Sequence, residues 1–240
     1  MNGNGKSASR RDTERQLYWR TSPARVRLEM SPAIHHPLRP EHRMPRQNRV
    51  TPRGELIAVE ARGTFMGNRG CLHDAVGRIR RPWQLKRWIV CELEFKGRHR
   101  EVMQPGRYTE LFFLDEATAL AAGHRPCAEC RRPAYQAFLA AWAGAAPGGA
   151  APTAAAVDEV LHRERTAPPW QAPLDTLPDG AFVTLPGDPR PFLVLGDALL
   201  AWTPGGYTDR LARPAGTVEV ITPRSMVEAL RAGYRPVLHP

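Results

Sequence analysis

Residues 112–133 read FFLDEATALAAGHRPCAECRRP, and most of the fold can be worked outward from them. An aromatic run ends at Asp115, whose short carboxylate suits a helix N-cap, and the residues after it, EATALAA, favour a short helix. Gly123 fits the left-handed position that ends a helix, and Arg125-Pro126 continues extended into Cys127-x-x-Cys130. Pro133 then opens PAYQAFLAAWAGA, in which Tyr135, Phe138, Leu139 and Trp142 share one helical face. Upstream, RWIVCELEF (87–95) alternates strictly. Trp88, Val90, Glu92 and Glu94 fall on one face, and Ile89, Cys91, Leu93 and Phe95 fall on the other, which puts Cys91 on the apolar side of a strand. Glu55 to Ala61 and YTELFFL (108–114) predict further strands, with turns at Gly63, Gly67 and Gly70. The fold class is α+β: a small metal-holding module with an antiparallel sheet and flanking helices, then a β-rich segment.

After Ala145 the stretch GAAPGGAAPTAAA reads as a linker, VDEVLHRERTA as a helix and PPWQAPLDTLPDG as a loop. AFVTL, PFLVLGD, ALLAWTP and TVEVITP predict strands from Ala181 onward, with turns at Gly187-Asp188, Gly196-Asp197 and Gly205-Gly206. PRSMVEALRAG predicts a closing helix. The expected organisation is a disordered basic segment 1–45, a metal module 46–145, a linker with a short helix 146–175 and a β-rich segment 176–240. Order is expected to begin at Met44, a candidate translation start. TALAAGHRP (118–126) and EALRAGYRP (228–236) echo one another as helix, glycine cap and extended Arg-Pro.

The chain has 240 residues and a formal net charge of +10. Residues 1–43 hold nine Lys or Arg against four Asp or Glu, so half of the excess lies there. The charge suits a polyanionic partner, although a bias of Arg over Lys also follows from a GC-rich genome. No run of about 18 apolar residues exists and residues 1–20 lack an apolar leader core, so a cytoplasmic location without membrane contact is expected. In that reducing setting four cysteines point to thiol or metal chemistry rather than disulfides.

Cys127-x-x-Cys130 offers two thiolates to one tetrahedral Zn²⁺, and two more ligands must come from elsewhere. A redox pair would follow a buried strand in a βαβ succession, which is not the pattern here. Buried thiols without chemistry are the third reading. Cys91 on a neighbouring strand favours zinc, with Cys71 and His73 as further candidates.

The segment 111–133 resembles the second half of the Ada-type metal-binding domain of DNA alkylation-repair proteins, through its aromatic strand, its Ala-Gly-x-Arg-Pro turn and its Cys-x-x-Cys. The resemblance implies that Cys127 and Cys130 are zinc ligands. In that family the first two ligands come from Cys-x3-Cys or His-x3-Cys after a glycine-containing strand. Here His73 matches the first ligand and Gly77 stands at the second, which leaves Cys91 as the substitute and Cys71 as an alternate to His73. The family's methyl-accepting cysteine has no counterpart, so that activity is not implied.

Arg80, Arg81, Lys86, Arg87, Arg98 and Arg100 with Trp83 combine cations and an aromatic ring, which suits phosphate contact and base stacking as much as a solvated edge. The glycine-rich loop 63–74 has the density of polar groups found in functional loops. Asp158 and His162 stand one helical turn apart, as an acid/base pair or as plain surface pairing. The sequence therefore predicts a zinc-stabilised nucleic-acid-binding protein directed at DNA, with a structural metal. The alternatives are an enzyme using loop 63–74 with Asp158 and His162, and a protein-interaction module.

Overall fold

Short apolar runs separated by glycines build a first, mixed sheet. Its strands are β1 (Gln47–Val50), β2 (Leu56–Ala58), β3 (Phe65–Asn68), β4 (Ile89–Cys91), β5 (Leu111–Phe113) and β6 (Arg125–Pro126), in the order β2-β1-β5-β3-β4-β6. The β1–β5 and β4–β6 pairs are parallel and the others antiparallel. The computed structural model describes residues 44–98, 101–145 and 151–240. The expectation of disorder over 1–45 falls outside these residues except at its last two positions, and Arg100 also lies outside them.

Helix α1 (Glu116–Ala121) links β5 to β6, and α2 (Arg132–Ala145) and α3 (Ala154–Thr166) follow. The second sheet is antiparallel: β7 (Trp170–Pro173), β8 (Phe182–Leu185), β9 (Asp188–Leu195), β10 (Ala198–Thr203), β11 (Gly206–Ala212) and β12 (Thr217–Val220), in the order β11-β10-β9-β8-β12-β7. Helix α4 (Arg224–Arg231) closes the chain. The α+β class therefore holds.

The two sheets meet at α1, which is buried on every side. Its small residues make that possible. Ala119 and Ala122 pack with Leu111 and Phe113 of the first sheet, while Ala117 and Ala121 pack with Phe182 and Leu193 of the second. Leu120 enters a third cluster with Phe138, Val194 and Leu230, so helices from residues 46–145 and strands from 176–240 share one core. Each large apolar side chain buried there contributes about 1.5–3 kcal/mol. The N-cap is as expected: Asp115 is extended and its Oδ1 accepts from Thr118 N at 2.8 Å. Gly123 has φ 81°, and the N–H groups of Gly123 and His124 return to Leu120 O and Ala119 O. The echo at 228–236 is a structural one, since Gly233 has φ 106° and Tyr234 N donates to Ala229 O in the same arrangement.

Several elements differ from expectation: the first sheet is mixed rather than antiparallel, the turn expected at Gly67 is strand β3, and β1 lies where no strand was expected. The strand read over 88–95 stops at Cys91, and Leu93 is 47% exposed. Its core-facing residue is Val90, so the faces are reversed: Cys91 lies on the side away from the sheet's core. The expected loop 168–180 contains β7, an edge strand beside β12. The polar stretch at 206–212 forms β11 on the opposite edge, where Asp209, Arg210 and Leu211 remain exposed.

Candidate metal centre

Strand register brings the cysteines together. Across the first sheet Met66 stands opposite Cys91 on one side and Phe112 on the other. Because side chains alternate, these three share one face while Gly67, Val90 and Leu111 occupy the other. Gly67 has to be small, since a Cβ there would lie 2.2 Å from Ile89 O and 2.9 Å from the Phe113 ring. Strand β6 runs parallel to β4 with Ile89 beside Arg125 and Val90 beside Pro126, so the next positions, Cys91 and Cys127, are neighbours. Cys127 N donates to Val90 O at 2.9 Å, and a turn, with Arg131 N donating to Cys127 O at 3.2 Å, returns Cys130 to the same place.

The Sγ atoms of Cys91, Cys127 and Cys130 lie within 4.8 Å of one another and can hold a metal ion. Four thiolates around zinc at about 2.3 Å would stand about 3.8 Å apart, so the spacing suits three of them. Electrostatics supports the same use. Hydrogen bonds from Cys130 and Cys91, with N–H groups of Cys130 and Glu129, pull the Cys127 thiol far below its ordinary pKa. Contact with Cys127 pushes Cys130 up, and contacts with Cys127 and Cys130, together with burial, push Cys91 up. The cluster alone therefore carries one negative charge readily, and a cation is what lets all three sulfurs ionise.

Cys71 and His73 stand apart from this group. The His73 ring bonds Thr109 Oγ1 at 2.6 Å and Gln104 O at 3.2 Å, and Cys71 Sγ lies 3.6 Å from His73 O. Among the described residues no fourth Cys, His, Asp or Glu joins the three cysteines. Next to the pair, His124 is fully buried and accepts from Arg69 Nε at 3.2 Å. Burial, with the charges of Arg69 and Arg165, holds its pKa well below the ordinary value, so its ring is neutral.

All three cysteines line a cavity of about 470 Å³. Its walls include Met66, Phe95, Val102, Tyr108 and Phe112, with Glu92, Glu94, Glu110 and Glu129 against Arg98, the one cation that lines it among the described residues. Glu110 is buried and accepts from Met103 N at 2.7 Å, Glu92 accepts from Arg131, and Glu129 pairs with Arg98 at 2.9 Å. The spacing of cysteines in the sequence foreshadows the three-cysteine group. The acidic wall was missed because it assembles from three separate segments.

The basic residues are distributed differently. Residues 80–87 are exposed throughout. Arg80 lies 3.7 Å from Asp74, Lys86 contacts both oxygens of Glu159, and Trp83 packs edge-on to His162 at 4.6 Å. Arg81 and Arg87 are exposed. Asp158 is occupied by a two-pronged ion pair with Arg125, at 2.8 Å to each oxygen. It faces Arg125 in the first sheet, while His162 faces Trp83.

Fold and site together define an α+β protein with a three-cysteine group able to hold a metal ion beside an acidic cavity. Comparison with protein-family models, curated proteins and solved structures finds no match. No helix among the described residues is long and apolar enough to cross a membrane.

Proposed function

We propose that the protein holds one zinc ion on Cys91, Cys127 and Cys130 and takes the fourth ligand from the cavity those cysteines line. The observation that carries this reading is the convergence of three sulfurs on the wall of a cavity with no fourth protein ligand among the described residues. Three protein ligands with one open position is the pattern of zinc sites that act on a ligand, whereas four ligands close a structural site. The soft donor set favours zinc or copper(I) over magnesium or calcium. A zinc ion there would supply Lewis acidity to a group entering the cavity, and the glutamates favour a neutral or cationic ligand over a phosphate. The Ada-type resemblance over 111–133 supports Cys127 and Cys130 as ligands. It does not extend to a fourth.

Cobalt substitution tests the open position. Co²⁺ bound by three thiolates gives intense visible bands, and added imidazole should shift them by entering the fourth position. Bands unchanged at saturating imidazole would mean a closed, structural site.

A second reading, nucleic-acid binding, is favoured by the exposed run 80–87 with Arg80, Arg81, Trp83, Lys86 and Arg87. Phosphate contacts release counterions, so duplex affinity should fall by about 0.9 log unit per log unit of salt for each contact. Lack of salt-sensitive binding by protein beginning at Met44 would remove this reading.

A further inference from the structure

A second cleft, of about 530 Å³, lies between the two sheets and contains none of the three metal-site cysteines. Two arginines dominate it. Arg69 is only 1% exposed, and its guanidinium carbon lies 3.9 Å from the Trp88 ring centroid; that of Arg165 lies 4.0 Å from the same ring. Their hydrogen bonds go to neutral acceptors: Arg69 to His124 Nε2, Gly54 O and Pro82 O, and Arg165 to Gly123 O and Lys86 O. Arg69 Nη2 and Arg165 Nε are buried with no partner.

Burying two cations against one ring is costly, and Asp158, the acidic group that acts on Arg165, is already held by Arg125, so a bound anion would complete the pair. Burial, with the charge of Arg165 added, pushes Arg69 down to about 9, and burial pushes Arg165 down to about 10 against the opposing charge of Asp158. The cleft's own carboxylates are otherwise engaged: Glu219 pairs with Arg53 at 3.1 Å, and Glu164 accepts from the N–H and hydroxyl of Ser225. Arg224, stacked on Trp170 at 4.5 Å, adds a further exposed cation, and Trp83, 36% exposed and packed on His162, also lines the cleft.

We propose that this cleft binds a phosphate monoester carrying a planar base, with Arg69 and Arg165 on the phosphate and Trp83 against the base. Guanidinium forks match phosphate oxygens in pairs, aromatic rings stack bases, and the volume suits a ligand of nucleotide size. Either a free mononucleotide or the 5′ end of a nucleic-acid strand presents this chemistry. The inference is independent of the metal reading, since the two sites share no residue.

The test is calorimetric titration of the full chain with adenosine monophosphate, adenosine, inorganic phosphate, and 5′-phosphorylated and 5′-hydroxyl oligothymidylate. The nucleotide is expected to bind, phosphate more weakly, and adenosine not measurably. Arg165→Gln should weaken nucleotide binding at least tenfold, and Arg224→Gln, at an exposed position, severalfold with an unchanged melting temperature. Trp83→Ala should weaken the nucleotide but not phosphate. Preference for the phosphorylated oligonucleotide over the nucleotide also upholds the site and assigns the phosphate to a strand end. Failure of every phosphate-bearing probe to bind at millimolar concentration would overturn the proposal. Equal affinity in the wild type, Arg165→Gln and Arg224→Gln would do the same.

Discussion

Two buried groups show how single residues hold this molecule together. Glu116 receives both prongs of Arg131, at 2.6 and 2.9 Å, together with the Tyr234 hydroxyl at 2.5 Å and Val237 N at 3.0 Å. Removing the cation strands a buried carboxylate, so Arg131→Met should cost about 3–5 kcal/mol in chemical denaturation. A loss under about 1 kcal/mol would mean that solvent reaches Glu116. His124 makes a prediction about pH. Its folded pKa is depressed, so below its ordinary value the unfolded chain binds a proton that the native chain refuses, and its contribution to stability is lost as pH falls. The slope from this group alone is about 1.4 kcal/mol per pH unit. Nitrogen NMR should show a neutral ring at pH 6, and a half-protonated ring there would contradict the account. In the sequence His124 stands beside a cysteine pair, but nothing there shows that it is sealed between Trp88 and Phe113.

At the scale of elements, what could be read from the sequence followed from local chemistry. Asp115 and Gly123 bracket α1 because cap geometry depends on the residues themselves. Asp115 does more than cap: its Oδ2 also accepts from the Tyr207 hydroxyl at 2.7 Å and His239 N at 3.1 Å, which no local pattern reveals. Asp115→Ala should therefore exceed the usual loss of about 1 kcal/mol for a cap and reach about 2–3 kcal/mol by thermal melts. Gly123→Ala would meet Arg165 Cδ at 2.8 Å in a left-handed conformation, and should cost about 1–2 kcal/mol. Strand β4 was visible by alternation, but its orientation was not. Three residues of ladder are too few for the polar positions 92 and 94 to set the face, and the sheet's partners decide it. Strands β7 and β11 lie on sheet edges, where Pro173 and exposed polar side chains hide the period of two.

For the whole molecule, the C-terminal tail closes the structure onto α1. Glu116 N donates to Val237 O and Val237 N returns to the Glu116 side chain, while Leu238 packs with Ala117 and Phe182. Deleting residues 236–240 should lower the melting temperature markedly and loosen both sheets together, read by hydrogen exchange as parallel loss of protection in β5 and β8. Loss confined to the second sheet would show that the shared core does not couple them. Long-range closure of this kind leaves no trace in composition, whereas the cysteine spacing did. Of the five candidates that the sequence offers, Cys91, Cys127 and Cys130 come together through strand register, while His73 and Cys71 stand apart.

That centre is tested most directly by metal analysis of protein purified without chelators, alongside single substitutions. The account predicts one zinc per chain, lost in Cys91→Ser, Cys127→Ser and Cys130→Ser and retained in Cys71→Ser and His73→Ala. Metal at background level in the wild type, or retention that depends on Cys71 or His73, would contradict it.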